Sequence, residues 1–272
     1  MLTLRYKGQT PIPVEVEGLT PSAIRSMPLA DIQRIEIFEG NRKVPLAEFF
    51  DVTGDPSDGR LEFEGNLSGV HWIGAQMSDG EIHIRGDAGR HVGSEMTGGT
   101  IHVHGNASDW VGGEMHAGLI HVHGSAGHLI GSAYRGSKVG MTGGTILVDG
   151  SAGNEVGLTL RRGLVAIGGA CGDFVGANMI AGTVLVFGAC GNRPAANMRR
   201  GTVGLFGDDP PTLLLSFRKS CVFQPLFLRP MFRHLQALGF AVPSGCLDAN
   251  YSVYHGDHVS VGRGEILIRE RE

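Results

Sequence analysis

Glu81-Ile-His-Ile-Arg-Gly-Asp-Ala-Gly-Arg-His-Val-Gly-Ser-Glu-Met-Thr-Gly-Gly99 runs straight into Thr100-Ile-His-Val-His-Gly-Asn-Ala-Ser-Asp-Trp-Val-Gly-Gly-Glu-Met-His-Ala-Gly118, and the two nineteen-residue segments are copies of one pattern. Further copies begin at Leu119, Thr145, Leu164, Thr183 and Thr202, and an earlier one, two residues longer, begins at Arg60. Only the Leu119 copy is much longer, with about seven extra residues around Arg135–Met141. A fixed period of this kind is the sequence mark of a solenoid.

Within a copy, positions two and four are aliphatic or Phe: Leu61/Phe63, Ile82/Ile84, Ile101/Val103, Ile120/Val122 and Ile146/Val148. Apolar residues two apart, separated by polar ones, describe a half-buried strand. Position six is always Gly, from Gly65 to Gly207, which ends the strand and permits a corner that a β-carbon would obstruct. Position twelve is apolar again (Val92, Val111, Ile130, Val175), thirteen is mostly Gly, and sixteen is mostly Met or Leu (Met77, Met96, Met115, Leu160).

One such unit cannot bury its own apolar face, whereas stacked units can, each strand pairing with the next coil at about 4.8 Å. The pattern therefore predicts an all-β fold: a right-handed parallel β-helix of about seven to eight coils, with small α/β caps at both ends. The right hand follows from the general bias of parallel crossovers. A thin aliphatic core also accounts for 44 Gly and only 7% aromatic residues.

Residues 1–58 read as an N-terminal cap, 59–207 as the repeats, and 208–272 as a C-terminal cap. In the first cap, Leu2/Leu4/Tyr6 and Ile12/Val14/Val16 alternate as strands, and Thr20-Pro21 opens a short helix. Asp31–Phe38 reads as a further amphipathic stretch, and Leu46–Val52 leads into the turn at Gly54–Gly59. In the last cap, Leu226, Phe227, Pro230, Met231, His234, Leu235 and Leu238 follow a helical period that Gly239 ends. Packing of that helix against the last coil is favoured over a subunit contact, and Val259–Ile268 reads as a closing strand pair.

A net charge of −4 argues against nucleic acid as the main partner. No apolar run approaches the ~18 residues of a membrane span, and the N-terminus lacks a signal peptide's basic head and apolar run, which points to the cytoplasm. Cys171 and Cys190 occupy position eight, where other copies carry Ala, so they stack on adjacent coils. A metal pair or a disulfide is conceivable there, but buried free thiols in place of Ala are favoured.

Nine of the twelve histidines fall between His71 and His128. His102, His104, His121 and His123 occupy positions three and five of successive copies, so they should form a two-by-two array on an outward face. Such an array could bind zinc. The pattern shows neither three ligands converging on a point nor a carboxylate to orient them, so surface imidazoles without a metal are favoured. Arg161 and Arg162 recur two coils later as Arg199 and Arg200, about 10 Å along the axis. With Arg193 they offer a basic strip for an anionic ligand, weighed against ordinary solvated charge. Walker A, GxSxG and HExxH motifs are absent, so no residue is assigned a catalytic role.

The repeat Gly-x-x-Gly-x-x-Val-Gly-x-x-Met-x-x-Gly-Thr-Ile-x-Val, with the tail Gly256-Asp-His-Val-Ser-Val-Gly-Arg-Gly-Glu-Ile-Leu-Ile268, resembles the C subunit of formylmethanofuran dehydrogenase. It is also similar to the C-terminal β-helix of glutamate synthase. The resemblance covers nearly the whole chain. It implies a scaffold whose chemistry lies elsewhere: in an amidohydrolase-like A subunit with a dinuclear metal site, a B subunit, and a formyltransferase-like D subunit. In the archaeal enzymes a further subunit carries a molybdopterin with molybdenum or tungsten. The resemblance to the related formyltransferase/hydrolase complex of methylotrophic bacteria implies transfer of a formyl group from tetrahydromethanopterin to a methanofuran-type carrier, with release of formate. Metals and the carrier are then expected in the partner subunits, and the carrier's γ-glutamyl tail is one polyanion that Arg161, Arg162, Arg199 and Arg200 could hold. Two other readings stay open: a stand-alone β-helix hydrolase or acyltransferase using a surface His, and a structural domain separated from a glutamate-synthase-like parent.

Overall fold

The alternation at positions two to four becomes a short strand in each copy in the computed structural model, which describes residues 1–270. The chain enters through β1 (Leu2–Tyr6), β2 (Val14–Glu15), α1 (Pro21–Ile24), α2 (Leu29–Ile32), β3 (Glu36–Glu39), β4 (Arg42–Pro45), α3 (Leu46–Phe49) and β5 (Phe50–Gly54). The repeats follow as β6 (Arg60–Glu64), β7 (Val70–His71), β8 (Glu81–Arg85), β9 (Thr100–Val103), β10 (Leu119–Val122), β11 (Thr145–Val148), β12 (Leu164–Ile167), β13 (Thr183–Val186) and β14 (Arg200–Leu205). The chain closes with β15 (Arg218–Phe223), α4 (Leu228–Ala237), β16 (Tyr251–Gly256) and β17 (Arg263–Arg269).

Thirteen of these strands make one sheet in the order β15-β16-β17-β14-β13-β12-β11-β10-β9-β8-β6-β1-β5, and the other four make a second in the order β4-β3-β2-β7. From β17 through to β1 each neighbouring pair is parallel, and only the two ends of that larger sheet turn antiparallel. Register moves by one whole copy, so that Ile82, Ile101, Ile120 and Ile146 lie side by side. A second column at position eight joins Leu67, Ala88, Ala107, Ala126, Ala152, Cys171 and Cys190. The fold is thus mostly β, a solenoid-like stack with one large, mostly parallel sheet. Both columns, with Val92, Val111, Met96 and Met115, contribute to one continuous buried cluster. Cys171 and Cys190 are free thiols. Burial pushes both thiols up, that of Cys190 to about 12, so neither is a ready thiolate.

At position six a β-carbon would obstruct the chain, as the sequence pattern predicts. Gly124 is not in the left-handed region; its role is spatial, since a β-carbon there would lie 2.5 Å from the carbonyl oxygen of Gly105 on the coil below. Left-handed corners lie at glycines of positions thirteen and nineteen, such as Gly93 and Gly99, and also at non-glycine residues of positions eleven and fifteen. Trp72, His91, Trp110, Leu129, Glu155, Phe174 and Arg193 have φ between 55° and 65°, as do Gln76, Glu95, Glu114, Thr159, Asn178 and Asn197 between 52° and 59°. Forward hydrogen bonds hold these turns: the N–H of His91 donates to the carbonyl of Asp109, and that of Trp110 to the carbonyl of His128.

Polar side chains outside the core complete the backbone hydrogen bonding. Asp109 Oδ1 accepts from the N–H of His128 (2.8 Å), Asn154 Oδ1 from that of Asp173 (2.9 Å), and Asp173 Oδ1 from that of Asn192 (2.7 Å). Each side chain caps the coil above it, so the corner's N–H groups are not left without acceptors.

The two ends depart from the simple caps that the sequence predicts. β1 pairs in parallel with β6 and so supplies an extra rung to the stack. Ile12 is exposed and outside β2, while the stretch 31–38 divides between α2 and β3. At the other end β17 adds a parallel rung on β14, and Phe217 joins the buried core with Leu213 and Leu214 packed against it. The Val259–Ile268 strand pair is not formed: only β17 is a strand, and it pairs with β16 and β14.

Helix α4 lies on the outer face of the sheet rather than over the end of the stack. Its Leu228, Phe232 and Leu235 form a second buried cluster with Leu147, Ala166, Leu185, Phe187 and Phe206. The partners on the sheet are residues of positions three and five, which the alternation alone would turn to solvent. Leu226 and Phe227, assigned from the periodicity to the buried helical face, are 73% and 41% exposed.

Candidate functional site

The position-three and position-five columns divide the outer sheet face into a polar half and an apolar half. Position three runs Glu62, His83, His102, His121 and then Leu147, in register across β6, β8, β9, β10 and β11. Position five runs Arg85, His104, His123 and then Asp149, with the parallel ladder continued by N–H donation from His104, His123 and Asp149 to the preceding coil. The boundary falls beside His121, where α4 begins to cover the face. His121 is only 2% exposed, and a side chain at Gly239 would sit 3.9 Å from its Cε1. His121 thus shares the outer sheet face with the rest of the array but is buried there.

The array also contains the carboxylate that the sequence pattern did not reveal. Asp149 Oδ1 lies 2.9 Å from His121 Nε2, and its Oδ2 lies 3.0 Å from His123 Nδ1, so one side chain accepts from both rings. Repeat numbering could have found it, because Asp149 is position five of the copy that follows His123. One coordinating nitrogen from each of His102, His121 and His123 can be chosen so that all three lie within 4.8 Å of one another. The rings of His121 and His123 are 4.1 Å apart between centroids, and His102 and His123 are stacked at 5.7 Å.

The neighbouring imidazoles are engaged differently. His83 reaches Glu81 Oε1 through Nε2 (2.9 Å) and His104 Nε2 through Nδ1 (3.2 Å). Arg85 donates from Nη1 to His104 Nε2 (3.0 Å) and from Nε to Glu62 Oε2 (2.6 Å). A guanidinium can only donate, so His104 Nε2 is an acceptor. Burial first, and then the Arg85 charge, lower the His104 pKa. Neither ring nitrogen of His102 has a hydrogen-bond partner among the described residues. Burial, followed by the charges of His83, His121 and His123, depresses its pKa to about 4, so it is a neutral imidazole near pH 7.

The four arginines are brought together as the spacing predicts. Arg161, Arg162, Arg199 and Arg200 line a shallow groove of about 410 Å³, floored by Ile180 and Ala181 of the intervening coil and edged by Val261. All four are exposed, and none has a carboxylate within ion-pair reach among the described residues. Arg193 does not line this groove; its guanidinium lies over the Phe174 ring, 5.8 Å from the centroid.

The GXGXG motif family matches residues 68–213, which is more than half of the chain. The chain belongs to the GXGXG motif family. Among curated relatives of this GXGXG chain, the C subunit of the tungsten-containing formylmethanofuran dehydrogenase 2 of Methanococcus maripaludis is 37% identical over 92 residues, 34% of each protein. The C subunit of the molybdenum-containing formylmethanofuran dehydrogenase 1 of Methanothermobacter thermautotrophicus is 39% identical over 84 residues, 30% of this chain and 21% of its own length. The chain thus spans about a third to a fifth of these relatives' length. A chain of the crystal structure of the formyltransferase/hydrolase complex (FhcABCD) from Methylorubrum extorquens, in complex with methylofuran, matches with a TM-score of 0.89 at 31% identity. That match covers 99% of this chain and 100% of the other.

Proposed function

We propose that the chain is the non-catalytic scaffold, the C subunit, of a formyltransferase/hydrolase complex. Such a complex moves a formyl group from tetrahydromethanopterin to a methanofuran-type carrier and releases it as formate. The observation that carries this reading is the end-to-end match to a chain of the Methylorubrum complex. The partners in this reading are an amidohydrolase-like A subunit, a B subunit and a formyltransferase-like D subunit, in the cytoplasm. Metals and the carrier reside in those partners. The coils wind right-handed in this reading, as parallel crossovers generally do.

The surface supports an assembled state. Strand β15 is exposed along its length and forms one edge of the large sheet, with Val222 and Phe223 on it and Leu215 and Leu226 nearby, all strongly exposed. An open edge carrying apolar side chains is a surface that proteins normally cover. The groove of Arg161, Arg162, Arg199 and Arg200 is the natural seat for a polyanion, the carrier's γ-glutamyl tail in this reading. No helix among the described residues is long and apolar enough to cross a membrane.

The test is purification of the native protein at low salt from its own cells, with identification of the co-eluting chains. Amidohydrolase-like and formyltransferase-like partners are the expected result. Elution of the chain alone would overturn it. The curated relatives favour a second reading, the C subunit of a molybdenum or tungsten formylmethanofuran dehydrogenase, and a co-eluting molybdopterin protein would select that one.

A further inference from the structure

We propose that His102, His121 and His123 bind a single late first-row divalent cation, zinc being the best fit, with Asp149 orienting two of the three imidazoles. The site lies on the sheet of this chain itself and does not depend on the scaffold reading.

Three observations converge on it. First, the nitrogens come from adjacent rungs, β9 and β10 and the residue just past β10, and lie within 4.8 Å of one another. Zinc–imidazole bonds of about 2.0–2.1 Å in tetrahedral geometry place ligand nitrogens about 3.4 Å apart. Closing the set therefore takes roughly an ångström of movement, within reach of ring rotation in His102 and His123, which are partly open to solvent. His121, fixed by burial, supplies the rigid point of the three.

Second, Asp149 lies 2.9 Å from His121 Nε2 and 3.0 Å from His123 Nδ1, so a carboxylate stands beside two of the three imidazoles. A carboxylate behind a ligating imidazole fixes its tautomer and raises its basicity, the usual support for such ligands. Third, His102 has no competing hydrogen bond among the described residues, whereas His83 and His104 are occupied by Glu81, Arg85 and each other. The donor set is imidazole only, which favours zinc, copper or nickel over magnesium and calcium. Three protein ligands leave the fourth position to water or to a group from a partner surface.

The experiment uses the full-length protein freed of metal with a chelator and titrated with zinc alone by calorimetry, then with cobalt(II) alone by visible absorption. One equivalent of zinc and the absorption of four-coordinate cobalt are expected. His102→Ala and His123→Ala should each weaken zinc binding by at least tenfold, and Asp149→Asn by about 10–100-fold. Replacing buried His121 tests folding as much as binding, so the two solvent-open histidines carry the test, with circular dichroism showing that the coils persist. His258→Ala, outside the array, should leave the titration unchanged. If a folded His102→Ala/His123→Ala double variant takes up zinc as tightly as the wild type, the assignment is wrong.

Discussion

The rings of Trp72 and His91 lie face to face, with centroids 3.9 Å apart and planes inclined by 2°. Trp110 continues the stack on the next coil, 5.3 Å from His91, and Tyr134 flanks it at 5.7 Å. Burial, with the charges of His71 and Arg90, lowers the His91 pKa to about 4. Above pH 6.5 the ring is neutral whether the chain is folded or not. Between about 6.5 and 4 the unfolded chain takes up a proton there that the folded one refuses, so stability falls as the pH falls. The urea midpoint should drop across that window, and His91→Phe, which cannot titrate, should flatten the slope. An unchanged slope in the variant would refute this.

Gly124 is predicted to tolerate no side chain. A β-carbon would meet the Gly105 carbonyl oxygen at 2.5 Å, and that oxygen belongs to backbone paired with the Gly124 N–H. The coils would have to part locally, so Gly124→Ala should cost at least about 2 kcal/mol in chemical unfolding. Gly136, with open space around it in the long copy, should accept the same change at a smaller cost, set by its φ of 93°.

Asp173→Ala removes the acceptor for the N–H of Asn192 and one rung of the outer hydrogen-bond ladder. The N–H lies near solvent, so the loss should be modest, about 1 kcal/mol. Asp173→Asn, which keeps an acceptor oxygen, should recover most of it in the same denaturation experiment.

Phe232→Ala should undock α4 while the coils remain. Its ring meets Phe187 at 5.9 Å and Phe206 at 5.6 Å between centroids, and it is fully buried. Loss of a buried Phe costs about 3–5 kcal/mol, which here falls on the cap rather than on the whole stack. Limited proteolysis should cut the variant between β15 and β16, leaving a resistant fragment that contains the repeats.

Replacing Arg161, Arg162, Arg199 and Arg200 by Gln should leave stability within about 0.5 kcal/mol, because the four are exposed and lack ion-pair partners among the described residues. Binding of a poly-γ-glutamate probe should weaken by at least tenfold and lose its salt dependence. Equal binding by the variant would remove the groove from consideration.

The residues with a fixed chemical signature were legible in the sequence. Ile82, Ile101, Ile120 and Ile146 announce a column because each must be apolar, and the structure places them in one. The arginine groove was legible because it follows from period alone. What stayed hidden is whatever depends on a contact from outside the repeat. Leu147, Ala166 and Leu185 break the polar rule of position three, and their reason is α4, which arrives from another part of the chain. Position eleven was hidden for the opposite cause: Trp72, His91, Leu129, Glu155 and Arg193 share a backbone conformation but no side-chain type. Asp149 was readable but is one residue among varied ones at position five, and its partners His121 and His123 lie in a copy stretched by the insert.

The placement of Gly239, just past α4, beside His121 also gives assembly of the protein a direction. Each coil pairs only with its neighbours, so the stack can grow as the chain leaves the ribosome, and the histidine ladder stands complete while its flank is still open to solvent. The segment beside His121, at Gly239 just past α4, is made long afterwards. The outer face is therefore finished last, by a latch that shuts on a ring already in position.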